Sequence, residues 1–478
     1  MVQNVARVVP LTIASALFME NLDSSIIATS LPAMARDFGV APTALNLAIT
    51  AYMASVAVFL PASGWVADRF GARRVFTAAI VIFLIGSISC AAAGGMTGLI
   101  LGRILQGMGG AMMVPVGRLV LLRTVPKSEL IGAMAWMTMP ALIGPVAGPL
   151  LGGAITTYSS WRWIFWINVP IGLLGICIAF AFLPRIREEN VPPFDWRGFL
   201  LSAIGLSALV FAFETLGRGV VPVGLSIAAG ASGLALLMLY FRHARGLDWP
   251  LVDVRLMRIT SFRLSVLGGS VFRIGVGAIP FLLPLQLQVG FGRTPLESGF
   301  TTFIGAIGAM FMKPIARPIL RFLGFRNTLA ANGVIAGLLI AVLATISAST
   351  PVWLLMALLF VSGLLRSLEF TAINALGYAE LKSALMSRAT SFSSMAQQLS
   401  LSAGVATSAL ILHLVAPDGA VNAADIATAF IGIGIISAFA GAVFATLPAT
   451  TGAEMIARGN RDPRASTEAD SLASAPSE

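Results

Sequence analysis

Charge is the scarcest resource in this sequence. Only 11% of its 478 residues are Asp, Glu, Lys or Arg, whereas a soluble domain carries roughly 25%. Too little charge is present to wet a globular surface, so a water-soluble fold is excluded. Histidine is nearly missing as well: His243 and His413 are the only two, which argues against a histidine-based metal site. The two cysteines, Cys90 and Cys177, lie inside apolar runs and show no CxxC or Cys/His spacing, so neither a disulfide nor a metal is expected. Of the three lysines, Lys127, Lys313 and Lys382, none follows the glycine pattern of a phosphate-binding loop. ATP is therefore not expected to drive this protein directly. No GxSxG or HExxH appears, so the chain does not read as an enzyme, and no filter motif or ring of like charge marks a channel. The first apolar run carries Glu20, Asn21 and Asp23 and has no small-x-small cleavage site, so no cleavable signal peptide is expected.

What fills the sequence is apolar. Hydrophobic residues make up 57% and the mean hydropathy is +0.89. A net charge of +10 could suggest nucleic acid, but the charges sit in short clusters between long apolar runs. The partner they fit is a lipid bilayer, and the chain reads as an all-α polytopic membrane protein.

A hydrocarbon core of ~30 Å needs about 20 apolar residues per helix. That window gives fourteen predicted spans. Six lie at about 8–31, 46–67, 75–94, 98–120, 131–154 and 163–183, and a middle pair at about 198–217 and 222–241. Six more follow at about 262–286, 297–314, 327–347, 352–373, 392–414 and 426–447. With a cytoplasmic N-terminus, cytoplasmic segments hold 23 of the 31 Lys and Arg, and external loops hold four: Arg36, Arg162, Arg218 and Arg293. That asymmetry places both termini in the cytoplasm.

Two polar connections, 184–197 and 242–261, bracket the middle pair. They divide the chain into a six-helix bundle (1–184), an inserted helix pair with its linkers (185–261), a second six-helix bundle (262–448) and a polar tail (449–478) that reads as disordered. DRFGARR at 68–74 is echoed by RPILRFLGFR at 317–326, which shares a basic cluster and a G-x-R. Parallel repeats of this kind are common in transporters.

Ionisable residues deep in a span cost ~2.5–3.5 kcal/mol each on insertion scales. Glu20 and Asp23, three residues apart, share one face of the first span and are candidates for proton or substrate binding. Arg103 lies in the outer part of the fourth span. A rise of 1.5 Å per residue puts it near the depth of Asp23, so the two become neighbours if the spans touch. Arg118, near the cytoplasmic end of the same span, is expected to snorkel out as an anchor. Arg273 lies mid-span in the ninth span; Arg366 and Glu369, three residues apart in the twelfth, read either as a self-compensating pair or as cavity residues. Glu214 is expected to snorkel at the external end of the seventh.

Four motifs then point the same way. Gly64-Trp-Val-Ala-Asp68-Arg69-Phe-Gly71-Ala-Arg73-Arg74 resembles the G-x-x-x-D-R-x-G-x-R-R loop of the major facilitator superfamily at every key position. Arg103-Ile-Leu-Gln106-Gly107 resembles its fourth-span R-x-x-Q-G motif. Gly144-x-x-x-Gly148-Pro149-x-x-Gly152-Gly153 resembles the antiporter signature of that superfamily's exporters, with Ala135 in place of an upstream glycine. Leu22-Asp23-Ser24-Ser25-Ile26-Ile27 resembles the first-span motif of the fourteen-spanner drug:proton antiporters (EmrB/QacA type), with Ala28 where an Asn is usual. Within them the run Gly109 to Leu119 resembles that of MdtD-like and HsrA-like multidrug exporters.

The resemblance, over about residues 8–447, implies a major facilitator fold: two six-helix bundles around a central cavity, with two inserted helices. It implies alternating access coupled to inward proton flow, with Asp23, Glu20 and Arg103 handling the proton and no cofactor beyond it. Gln106, Arg273, Arg366 and Glu369 would line the substrate cavity, since the helices that face it in this fold are spans one, four, nine and twelve. Gly64, Asp68, Arg69, Gly71, Arg73 and Arg74 would form a conformational latch. Pro140, Pro145 and Pro149 would kink a fifth span whose glycines form a leak-tight hinge or simply a packing seam. The expected protein is a monomeric, multi-pass exporter of small amphipathic molecules in a bacterial inner membrane. An organic-anion, metabolite or siderophore exporter on the same fold is the alternative, because three acids balance Arg103, Arg273 and Arg366. A non-transporting sensor or scaffold is disfavoured because no soluble signalling domain is visible.

Overall fold

The computed structural model describes residues 2–40, 42–216, 221–416 and 421–456. Arg218 and the tail from Ala457 onward, with the disorder expected of it, lie outside the described residues. Within them every regular element is a helix, as hydrocarbon requires: with no water to take up backbone N–H and C=O groups, each spanning segment must satisfy its own.

The helices are α1 (Val2–Phe38), α2 (Asn46–Phe70), α3 (Ala72–Ala91) and α4 (Met96–Thr124). Next come α5 (Leu130–Ala141), α6 (Gly144–Tyr158), α7 (Trp163–Phe182), α8 (Trp196–Thr215) and α9 (Val223–Arg245). Last are α10 (Thr260–Leu285), α11 (Pro295–Val342), α12 (Val352–Leu376), α13 (Met386–Val415) and α14 (Ala423–Ala445).

Eleven helices among the described residues are long and apolar enough to cross a membrane, not the fourteen that were expected. The difference has local causes. The fifth predicted span is divided into α5 and α6, where Pro140 and Pro145 each remove a backbone donor within a few residues. The tenth and eleventh run together as α11, interrupted only at Gly324 (φ 74°, ψ 168°). The first, α1, holds Glu20, Asn21 and Asp23 and is not among the eleven.

Gly324 also explains the internal echo. Gly71, in the matching loop, has φ 92° and ψ 129°. Both turns use a positive-φ backbone that only glycine adopts without strain, each just ahead of an arginine two residues on. The repeated G-x-R is thus a repeated backbone device.

Packing follows two groups. In the first, α1 lies against α5, α6 and α7, while α4 lies against α2 and α3; in the second, α10 lies on α13 and α14, and α11 on α12 and α14. The pair α8 and α9 packs together, and α8 bridges the groups by touching α2 and α13. Large apolar side chains face outward in helical rows, such as Ile431, Ile435 and Phe439 on α14 and Val81, Ile85 and Ile88 on α3. A monomer in water does not tolerate such continuous apolar faces. They are the lipid surface.

Candidate functional site

Asp23 is buried mid-way along α1, where the apolar core offers its carboxylate no water. Its partners come from two other helices. From α4, Arg103 Nη1 donates to Asp23 Oδ2 at 2.5 Å, and Gln106 Nε2 donates to Oδ1 at 3.0 Å. From α7, Asn168 Nδ2 donates to the same Oδ1 at 2.8 Å. Arg103 and Gln106 sit three residues apart on one helical face, which lets Arg103 also donate to Gln106 Oε1 at 2.8 Å. Asn168 is held in turn by Ser87 of α3, 3.0 Å away, whose hydroxyl donates to Phe165 O at 2.8 Å. Asp23, Arg103, Gln106 and Asn168 are each no more than 1% exposed. An ion pair this deep is retained only when its remaining hydrogen bonds are met, and here four helices contribute to meeting them.

Glu20 does not touch Asp23 directly. Its Oε1 accepts from Tyr52 Oη at 3.3 Å, and the Tyr52 ring lies 4.3 Å beneath the Arg103 guanidinium. Glu20 and Asp23 therefore flank one arginine through two different contacts. Glu20 Oε2 is buried with no hydrogen-bond partner, as is Arg103 Nε. The network has spare capacity for a proton or a donor.

The glycines of the fifth predicted span press against the back of α1. A Cβ on Gly144 would lie 2.8 Å from Leu22 N; one on Gly148 would strike Ser25, and one on Gly152 would strike Thr29 and approach Ile26 O at 2.8 Å. Ser25 Oγ also donates to Gly144 O at 3.1 Å. Gly153 faces open space, and the Pro149 side chain lies outside what is described. The seam thus clamps the helix that carries both acids.

At the end carrying the 68–74 loop, hereafter the basic end, the two groups of helices touch. Ser63 Oγ and Ser391 Oγ are 2.9 Å apart, Gly64 N donates to Ser391 Oγ at 2.9 Å, and a Cβ on Gly64 would sit 2.5 Å from Ser387 O. Lys127 Nζ donates to Ala379 O at 3.0 Å, and Arg317 donates to Ser128 O at 2.7 Å. The basic end is closed. Asp68 lies beside this contact, 3.0 Å from Arg123, which also pairs with Glu188 of the following linker at 2.9 Å. Arg69 and Arg74 are exposed, while Arg73 stacks over Phe180 at 5.2 Å. Of the latch residues, Gly64 and Asp68 make the crossing contacts, the Asp68 carboxylate accepting from the Ser387 hydroxyl of the opposing group, and the arginines stay on their own side.

The second group departs further from expectation. Glu369 is fully buried and accepts from Asn332 of α11 at 2.6 Å, so it faces into its own bundle. Arg366 is half-buried, and among the described residues it forms no ion pair with Glu369. Arg273 of α10 reaches Asn374 at 3.2 Å and lies 5.6 Å from the Phe370 ring centre. Gln106 belongs to the Asp23 network. Glu214 and Arg118 do not snorkel: they are 8% and 4% exposed, and Glu214 accepts from Ser402 of α13 at 3.1 Å. Asn168, Tyr52 and Ser87 escaped the sequence reading. The lone amide of Asn168 in an otherwise apolar span was the one available signal.

A family model described as Major Facilitator Superfamily matches residues 13–405. The chain belongs to the major facilitator superfamily. It is a multi-pass membrane transporter, not an enzyme. Among similar proteins, "Putative multidrug resistance protein MdtD" of Salmonella heidelberg is 40% identical over 406 residues, spanning 84% of this chain and 85% of that one. Its namesake in Salmonella typhimurium is equally similar, at 40% over 406 residues. Two solved members share the fold. The human organic anion transporter MFSD10 gives a TM-score of 0.65 at 16% identity, covering 91% of this chain and 99% of that one. The proton:xylose symporter XylE bound to 6-bromo-6-deoxy-D-glucose gives 0.67 at 14%, covering 95% and 99%. At such identities the likeness carries the fold alone.

Proposed function

We propose that this protein is a proton-coupled antiporter that exports small amphipathic compounds, multidrug efflux being the form of it that its relatives' name suggests. The observation that carries the reading is the Asp23–Arg103 pair, buried between α1 and α4 and braced by Gln106 and Asn168. Stability alone is a weak reason to keep such a pair, since well-packed apolar residues do as well or better. A proton-exchange role gives it a purpose: proton entry at Asp23 weakens the hold on Arg103, and departure of Arg103 favours proton uptake.

The remaining parts fit a rocking cycle. The glycine seam lets α1 move as one body with the fifth span, and the Gly64–Ser387 contact is a gate that forms and breaks. We read the basic end as cytoplasmic, from the Lys and Arg distribution, so this structure is outward-facing. The fourteen-span reading is kept: α5 with α6 counts as one span, α11 as two, and α1 as a span despite its acids. The bundles are then 1–184 and 262–448, with 185–261 inserted between them. The protein would act as a monomer in a bacterial inner membrane with both termini cytoplasmic.

Accumulation assays test this. Cells expressing the protein should hold less of a lipophilic cation or a fluorescent carboxylate than control cells, and an uncoupler should erase the difference. Equal accumulation of every compound contradicts the reading. Arg273, which has no acidic partner among the described residues, favours the organic-anion alternative, and competition between anions and cations separates the two.

A further inference from the structure

The basic end carries more positive charge than its own contacts use. Arg73 and Arg74, at the start of α3, and Arg185 and Arg187, in the linker after α7, line one cavity of about 420 Å³. One water needs only ~10–15 Å³ by the same measure, so a much larger group fits. None of the four arginines forms an ion pair among the described residues. Arg73 donates to Leu183 O at 3.4 Å, while Arg74, Arg185 and Arg187 are exposed. Of the two acids that follow in the linker, Glu188 is taken by Arg123 at 2.9 Å and Glu189 pairs with none of them.

The main chain holds the two arginine pairs around this space. Ala72 N donates to Ile186 O at 2.9 Å and Glu188 N to Asp68 O at 3.4 Å, fastening the linker to the 68–74 loop. Gly71 leaves the linker room to approach, since a Cβ there would already lie 3.4 Å from Ile186 O. The cavity is thus built by two fastened segments, and every charged group lining it is a hydrogen-bond donor. Arginine forks bind phosphate oxygens in pairs. Two phenyl rings complete the lining: Phe70 and Phe180, 55% and 54% exposed, at the ends of the spans α2 and α7. A free ion makes no use of such rings. A phospholipid does, because its phosphate and its acyl chains meet at this depth, and a basic pocket at a membrane edge suits an anionic head group.

We propose that Arg73, Arg74, Arg185 and Arg187 form a binding site for the phosphodiester of an anionic phospholipid in the leaflet at the basic end, with Phe70 and Phe180 against its glycerol and upper acyl chain. The phosphate would bridge the same two segments that the backbone hydrogen bonds join. A zwitterionic lipid fits less well, because its ammonium would enter a cavity lined by four cations.

Native mass spectrometry tests this on the full-length protein, delipidated in detergent and titrated with dioleoylphosphatidylglycerol or dioleoylphosphatidylcholine. The glycerol lipid should bind saturably and at least about tenfold more tightly than the choline lipid, as charge-assisted hydrogen bonds require. Arg185→Gln with Arg187→Gln should weaken that binding by at least about tenfold. Arg242→Gln with Arg245→Gln removes the same charge from exposed positions at the end of α9, outside the cavity, and should leave it within about twofold. If the first double variant does not fold, either of its single substitutions, each at an exposed position, carries the same comparison. Equal affinity for the two lipids overturns the site, and so does an equal loss in the two double variants, which would reduce it to general charge attraction. Sodium phosphate that displaces the lipid at equal concentration would assign the cavity to the free ion and refute the lipid.

Discussion

Gly64 offers the sharpest perturbation. A Cβ at this position would lie 2.5 Å from Ser387 O and 2.9 Å from Ser387 C, both backbone atoms of the opposing bundle. Contacts under 3 Å with backbone cannot be relieved by a rotamer change, so the helices themselves must separate. Overpacking of this kind costs about 1–3 kcal/mol. Because the contact crosses between bundles, the cost falls on the closed basic end and not on the open one. With RT near 0.59 kcal/mol, Gly64→Ala should therefore lower the closed-to-open ratio by about 5- to 150-fold. Spin labels on exposed Arg69 and Lys382, one on each side of the gate, report that ratio by double electron–electron resonance; exposed Cys177 is first changed to Ser and Cys90 is left buried. The prediction is a shift of the distance distribution toward the longer population. An unchanged distribution in Gly64→Ala would show that this contact does not gate the basic end.

Other outcomes follow from the same contacts. Asn168→Ala removes a donor to the Asp23 carboxylate at 2.8 Å, and a hydrogen bond to a charged group is worth about 1.5–3 kcal/mol, so coupled transport should slow by at least about tenfold while expression is retained. Gly152→Ala should lower the unfolding temperature, because its Cβ meets Ile26 O at 2.8 Å, whereas Gly153→Ala, with nothing within 4 Å, should not. Asp253, in the linker after α9, is pushed up by burial but pulled further down by hydrogen bonds from Arg255 and by the Arg255 and Arg388 charges, for a net value below the usual carboxylate range. A depressed value stabilises the fold above the ordinary aspartate range and ceases to do so as pH falls through the depressed one. The unfolding-temperature gap between wild type and Asp253→Asn should therefore be present at pH 7 and close in that acidic window.

Depth was legible in the sequence; azimuth was not. Counting 1.5 Å per residue placed Asp23 and Arg103 close enough in depth to be neighbours if their spans touch, and they meet. The same counting placed Arg118 near a membrane edge but could not show that its side chain is buried. Arg366 and Glu369 have the spacing of an intrahelical pair, yet Asn332 of a neighbouring helix takes the carboxylate. Which neighbour a buried acid faces depends on how helices rotate against one another, and that is settled by packing along their whole length. The glycine motif announced a close approach, which Gly144, Gly148 and Gly152 make. Its partner, α1, was not readable from spacing. Nor was the bracing of Asp23 by Asn168, 145 residues away in the chain.

The central claim is that Asp23 exchanges the proton that drives export, and liposomes report it directly. The protein would be reconstituted with an internal pH dye under an inward-directed proton gradient, and proton entry on adding lipophilic cations or carboxylates would be compared for wild type, Asp23→Asn and Arg103→Ala. Substrate-triggered entry in the wild type that disappears in Asp23→Asn is the predicted result. Entry that persists in Asp23→Asn would contradict it and move the proton to Glu20 or Glu369.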